Sequence, residues 1–291
     1  MHQSIRSRSL RMRPRRDLAV LLVIAALVTT ACSSSSSKTA GTSSTTAKPT
    51  GKSLTIGTSA DFPPLSSKGT SGSIEGFEND MLKRLTATIN RPFTWSQLDF
   101  NGLIPALQSG RIDMITSGMY DTAARAKVVD FVDYMKIPLS VMTLKSNVDA
   151  VKDATGLCGH SVAYLVGSPP EQTQIEQWSS QCTGAGKGAI TAQGYQTVAA
   201  AIADINNGRT FAELEGDIVV LYVAKSQFGN KLGVAFNVEG GTSNVGLAVQ
   251  KGSALLPSLQ TAMTSYIQSS AYCDDAKAWD LTPGDLMRTC P

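Results

Sequence analysis

Apolar and polar positions alternate over Leu54-Thr-Ile-Gly-Thr58, a strand pattern, and the alternation stops at Asp61-Phe-Pro-Pro64, where proline removes the ladder donor. From Gly76 to Leu85 the apolar residues Phe77, Met81, Leu82 and Leu85 fall on one helical face. Phe93 to Gln97 reads as a second strand. Leu103 to Gln108 reads as a short helix ended by Ser109-Gly110, and Asp113 to Ser117 as a third strand with its buried part near Ile112 to Thr116. The order strand, helix, strand, helix predicts a parallel sheet covered by helices.

After Pro138 an apolar extended run, Leu139 to Leu144, predicts a first crossover, and then the pattern restarts. Ser161 to Val166 reads as a strand, Pro170 to Gln181 and Thr197 to Asn206 as helices, and a further strand lies near Glu213. Val234 to Val238 and Val245 to Gln250 read as strands around Gly240-Gly241, the expected return crossover. Leu255 to Ser269 reads as an amphipathic helix. A pattern that stops, crosses and restarts predicts two α/β lobes joined by two crossover strands, with a cleft between them of the kind that holds small molecules. The expected boundaries are 53–140 for the first part of lobe 1, 141–238 for lobe 2, and 239–291 for the return crossover, the second part of lobe 1 and a C-terminal disulfide segment.

The N-terminus does not belong to this pattern. Arg6 to Arg16 is a positive segment, and Leu18 to Val28 is an apolar run too short to span a bilayer as a helix, which needs about 20 residues. Thr29-Thr30-Ala31-Cys32 follows. A cysteine after a small residue at the end of such a run resembles a lipoprotein processing site, with Thr29 where leucine is usual. Residues 1–32 are therefore expected to be a lipoprotein signal peptide ending in a lipidated Cys32, which would anchor the exported chain on the extracytoplasmic side of the cell membrane. An ordinary signal peptide cut near Ala31 is the competing reading, and Arg15-Arg16 resembles a twin-arginine signal only weakly. Residues 33–52 are Ser, Thr, Lys, Gly and Ala with one Pro and have no apolar period. As a flexible tether they would reach roughly 25 Å.

Charge changes its meaning once the leader is set aside. The 291 residues carry a formal +3. Residues 1–32 hold six arginines and Asp17, so the remainder has 20 basic and 22 acidic residues. Nothing in the folded part clusters lysine and arginine as nucleic-acid binding needs. With Cys32 assigned to lipid, Cys158, Cys182, Cys273 and Cys290 form an even set in an oxidising compartment. Three pairings are possible, and the two local ones, Cys158–Cys182 and Cys273–Cys290, are favoured. Closing such loops contributes about 3 kcal/mol each in the chain-entropy model. A zinc site would need short Cys spacing or histidines, and His160 is the only histidine beyond the leader. No metal or cofactor is expected.

The segment Asp99 to Met135, DFNGLIPALQSGRIDMITSGMYDTAARAKVVDFVDYM, together with GFENDMLKRL from Gly76, closely resembles the ligand-gripping block of the family 3 solute-binding proteins, the amino-acid receptors of bacterial ABC importers. The likeness runs from about Leu54 to Met287. It implies the type II periplasmic-binding-protein fold, which closes on its ligand about a hinge, and it implies a monomer that delivers an amino acid, or a similar small carboxylate, to a permease and its ATPase. Carried over by position, Arg125 would grip the ligand α-carboxylate through two parallel N–H donors. Gly118 and Met119 would supply backbone partners, and Tyr120 stands where the family commonly has Thr or Ser. Phe62 and Phe100 would sandwich the aliphatic part of the ligand. Ser59 occupies the place of an acid that helps hold a polar side chain, and Asp61 lies two residues on. Gly167-Ser168 resembles the second lobe's carboxylate-facing turn. The acid for the ligand amine would be Asp217, reached with a one-residue insertion because the expected position falls on Gly216, and Glu215 is the rival. An enzyme of the same fold acting on small carboxylates and a stand-alone lipoprotein sensor are the alternatives.

Overall fold

The computed structural model describes residues 51–226 and 231–291. The expected leader with Cys32, and the tether up to residue 50, lie outside the described residues. The strands are β1 (Leu54–Thr58), β2 (Asp61–Phe62), β3 (Ser66–Lys68), β4 (Ile74–Glu75), β5 (Phe93–Gln97), β6 (Met114–Ile115), β7 (Val129–Ile137), β8 (Leu139–Leu144), β9 (Ser161–Leu165), β10 (Thr191–Tyr195), β11 (Ala212–Gly216), β12 (Leu232–Asn237) and β13 (Ser243–Gln250). The helices are α1 (Phe77–Thr88), α2 (Leu103–Gln108), α3 (Pro169–Gly184), α4 (Val198–Asn206), α5 (Asp217–Ser226), α6 (Leu256–Gln268) and α7 (Ser270–Ala278).

Two five-stranded sheets form the centres of two lobes. The first runs β5-β1-β6-β13-β7 and the second β10-β9-β11-β8-β12. A small antiparallel sheet, β2-β3-β4, sits beside the first. The chain passes from one sheet to the other at Pro138, between β7 and β8, and returns between Asn237 and Ser243. The sheets are mixed rather than parallel as the strand–helix order predicted. In the first, β13 enters from the returning chain and pairs antiparallel with both β6 and β7. In the second, β8 pairs antiparallel with β11 and β12. Leu139 to Leu144 is thus a strand inside the second sheet, and the crossing itself is the single residue Pro138.

Local chemistry explains the elements nearest the cleft. Phe77, Met81, Leu82 and Leu85 of α1 are buried against the first sheet, as their spacing requires. Arg84 of α1 makes two 2.7 Å hydrogen bonds to the Asp275 carboxylate of α7, and Trp279 donates its indole N–H to Asp80, so the C-terminal helices are fastened to α1. The disulfides are Cys158–Cys182 and Cys273–Cys290, the local pairs. The first ties the turn before β9 to the end of α3. The second holds the C-terminal segment, whose Leu286 bridges to Met135 of β7. No helix of the described residues is long and apolar enough to cross a membrane.

Candidate functional site

The site is built around a loop that the first sheet delivers and α1 holds in place. Strand β6 ends at Ile115, and the chain continues as Thr116-Ser117-Gly118-Met119-Tyr120 before the turn that carries Arg125. Gly118 has φ 60°, and a Cβ there would stand 2.6 Å from the Phe62 ring, so the position needs glycine for both conformation and space. Its N–H donates to Oε1 of Glu78 at 2.8 Å, and the Tyr134 hydroxyl donates to the same oxygen. Burial pushes the Glu78 carboxyl up despite these donors. The loop is also stitched to β13: Gly246 donates to the Met119 carbonyl at 3.1 Å, and Asp121 N–H to Asn244 at 2.9 Å.

Arg125 is only 6% exposed. Its Nη1 donates to the Tyr120 carbonyl at 2.9 Å and its Nη2 to the Gly167 carbonyl, in the second lobe, at 2.6 Å. The guanidinium carbon lies 5.4 Å from the centre of the Phe100 ring, a cation–π distance. None of the ion pairs among the described residues involves it. Burial lowers its pKa to about 10, and the charge of Glu171 offsets part of that. Among the described residues its hydrogen-bond acceptors are two carbonyls and it has no ion-pair partner, so it keeps a bidentate face that a carboxylate satisfies.

The other sequence-predicted residues divide between the two lobes. Phe62 packs between Gly118 and Gly216, and Phe100 packs between Arg125 and Gly167. The Ser59 hydroxyl exchanges a 2.8 Å hydrogen bond with Ser117. Asp61 reaches across to the second lobe, where the Val198 N–H at the start of α4 donates to its carboxylate at 2.6 Å. Burial raises Asp61, and that backbone donor opposes the rise. Ser59, Asp61, Phe100 and Leu165 line part of an interlobe pocket of about 410 Å³. Ser168 donates to Glu171 at 2.7 Å. Asp217 opens α5, and its N–H donates to the hinge carbonyl of Pro138 at 2.8 Å. Burial and the charge of Asp285 push its carboxyl up to about 7. The rival, Glu215, is fully buried, accepts from the Gly216 N–H at 2.7 Å and also sits near 7, raised by burial and by the charge of Asp61.

Sequence reading missed Glu78, Glu171 and Glu213. All three are buried acids. It also missed the link between Tyr120 and Gly216: a Cβ at residue 216 would stand 2.9 Å from the Tyr120 hydroxyl oxygen. Gly216 has no positive φ, so it is glycine for room. The signal for Glu78 was present in the GFENDMLKRL stretch, where an acid stands on the apolar side of α1. Glu171 and Glu213 carried no sequence signal that separates them from solvent-facing acids.

The profile of one family, the bacterial extracellular solute-binding proteins, family 3, matches residues 54–279. The arginine-binding protein ArgT of Corynebacterium glutamicum is 26% identical over 236 residues, which cover 80% of this chain and 76% of that protein. Among solved structures, an ancestral arginine-binding protein bound to arginine is similar at a TM-score of 0.71 and 27% identity, over 78% of this chain and 97% of that one. The ancestral amino acid-binding protein AncCDT-1, a precursor of cyclohexadienyl dehydratase, is similar at a TM-score of 0.69 and 26% identity, over 78% of this chain and 95% of that one.

Proposed function

The chain belongs to the bacterial extracellular solute-binding proteins, family 3, and from that premise we propose that it captures an amino acid between its lobes and delivers it to the permease of an ABC importer. The observation that carries this reading is the buried Arg125 guanidinium, partnered by carbonyls of both lobes and stacked over Phe100. The ligand carboxylate would replace those carbonyls, and the ligand would then bridge the lobes. A ligand that touches both lobes favours the closed form by its differential affinity for the two forms. Gly118, Met119, Tyr120, Ser59, Phe62, Phe100, Gly167 and Ser168 would line the rest of the site. Asp61 would contribute at its mouth, and the ligand amine would be met by Glu215 or Asp217. The named relative binds arginine, and the buried acids support a basic amino acid here as well.

Several finer features belong to the same proposal. We take the lobes as 53–140, 141–238 and 239–291, a reading supported by the crossings at Pro138 and after Asn237. We take the protein as a monomer exported and held to the membrane through a lipid on Cys32. Replacing Cys32 by Ala should then move it from the membrane fraction to the medium or periplasm. The named relative is a binding protein, which supports a binder rather than an enzyme. The likeness to AncCDT-1 keeps small-carboxylate elimination as a second reading, because raised, buried carboxyls near a carboxylate-gripping arginine are what a general acid would need. The deciding experiment is a thermal-shift and calorimetric screen of the common amino acids, followed by NMR of the bound compound. A raised melting point with unchanged ligand supports capture, and steady conversion of the ligand would replace it by catalysis.

A further inference from the structure

Three buried glutamates of the second lobe cluster beside this site. Glu213 and Glu215, two apart on β11, point to the same face of the strand. Glu171 comes from the first turn of α3. Each is at most 1% exposed. Glu171 accepts from the Ser168 hydroxyl at 2.7 Å and from the Leu165 N–H at 3.2 Å, while Oε2 of Glu215 has no hydrogen-bond partner. Neither carboxyl oxygen of Glu213 has a hydrogen-bond partner, and neither does the buried hydroxyl of Tyr120. None of the ion pairs among the described residues involves the three glutamates.

Three ionised carboxylates cannot stand together in such a place, because each would carry the cost of a buried, unpaired charge. Without a bound cation, protons are the means of relieving that charge. Burial, with the charge of Glu215 next, holds Glu171 and Glu213 well above the ordinary glutamate range. Strand β8 carries no titratable side chain and β9 only Tyr164. Helix α4 brings Asp204, whose charge acts on Tyr195; α5 brings Asp217, Tyr222 and Lys225, the last paired with Asp280; and β2 brings Asp61. Among the described residues, the cation whose charge acts with Glu171 and Tyr120 is Arg125.

We propose that Glu171, Glu213, Glu215 and the Tyr120 hydroxyl form a subsite for a cationic group of the ligand, and that the cation enters in exchange for a proton. The proposal rests on the solute-capture reading and narrows it to amino acids with a guanidinium or ammonium side chain. In the exchange, one carboxyl loses its O–H proton to the buffer, the ligand cation takes the proton's place, and the net charge of the cluster is unchanged. Tyr120 offers its oxygen lone pair to the same cation, which is why its hydroxyl needs no partner within the protein.

The test is isothermal titration of the purified protein with L-arginine at pH 6.0 in phosphate and in bis-tris, whose ionisation enthalpies differ. The expected result is release of about one proton per arginine bound, with affinity falling up to about tenfold for each pH unit that the solution is made more acidic below neutrality. Glu215→Gln should weaken arginine by ten-fold or more. Glu213→Gln, which keeps shape and burial, should bind arginine and change the number of protons released. Circular dichroism melts confirm that both variants fold. Arginine binding with buffer-independent heat and unaffected variants overturns the exchange and leaves solute capture standing. Binding of neutral or acidic amino acids in place of arginine, lysine and histidine overturns the cation subsite. Failure of every amino acid to bind removes the capture reading itself.

Discussion

Arg125 and Gly167 stand 2.6 Å apart, nitrogen to carbonyl oxygen, across the gap between two separately built sheets. The donor hangs from the loop after β6 and the acceptor from the turn after β9, so this side chain of the first lobe reaches the backbone of the second. Any carboxylate that takes the place of this carbonyl inherits a position that both lobes can reach.

Replacing Arg125 by Ala should reduce amino-acid affinity by ~100-fold or more, since losing one partner of a buried charge-assisted pair costs about 2–5 kcal/mol. Lysine should rescue little, because it offers a point charge in place of a planar fork. Calorimetry with the ligand found by screening reads both variants. Retention of affinity within a few-fold in Arg125→Ala would falsify the assignment of this residue.

Glu78 tests how the loop is held. Glu78→Ala leaves the Gly118 N–H and the Tyr134 hydroxyl without their acceptor. Each orphaned buried donor costs about 1–3 kcal/mol. The urea midpoint should fall markedly, and ligand affinity should fall with it because the Gly118 loop carries the site. A variant with lowered stability and unchanged affinity would show that the loop does not need this anchor.

The spatial lock between Tyr120 and Gly216 predicts coupling. Gly216→Ala places a methyl 2.9 Å from the Tyr120 hydroxyl oxygen and 2.8 Å from Ile137. Overpacking of this kind costs about 1–3 kcal/mol. Tyr120→Phe removes the hydroxyl, so the double variant should be more stable than the sum of the single changes implies. Simple additivity in denaturant melts would refute the contact.

How much of this was legible beforehand varies by element. The short helix Leu103–Gln108 has the bounds its sequence suggests, because Ser109-Gly110 ends it locally. Arg125 could be found because its loop has a distinctive order of residues. Strand β7 and helix α5 could not be read, since VDFVDYMKI and DIVVLYVAKS carry neither a clean alternation nor a clean helical period. The sequence AELEG alternates like a half-exposed strand, yet all five of its residues are buried. Helices α3, α4 and α5 all pack on it, and nothing in a linear pattern announces that acids will be enclosed on both sides.

Asp217 and Asp285 give a pH signature. Both carboxyls are raised in the folded protein, first by burial, and Asp217 reaches about 7. The sign follows from which state holds more protons. Between about pH 4 and pH 7 the unfolded Asp217 has ionised while the folded one has not, and the raised Asp285 acts in the same direction, so folding loses stability as pH rises through this window. Without ligand, the melting temperature should be higher near pH 5 than near pH 8. Asp217→Asn should raise it at pH 8 and change it little at pH 5. A melting temperature that climbs from pH 5 to 8 in the parent protein would contradict this.

Each covalent crosslink joins a cysteine to the next one along the chain, with separations of 24 and 17 residues. A polypeptide threaded outward from its N-terminus can therefore seal the first bridge before the second pair has emerged. Oxidation in order of appearance would then yield the native connectivity without reshuffling.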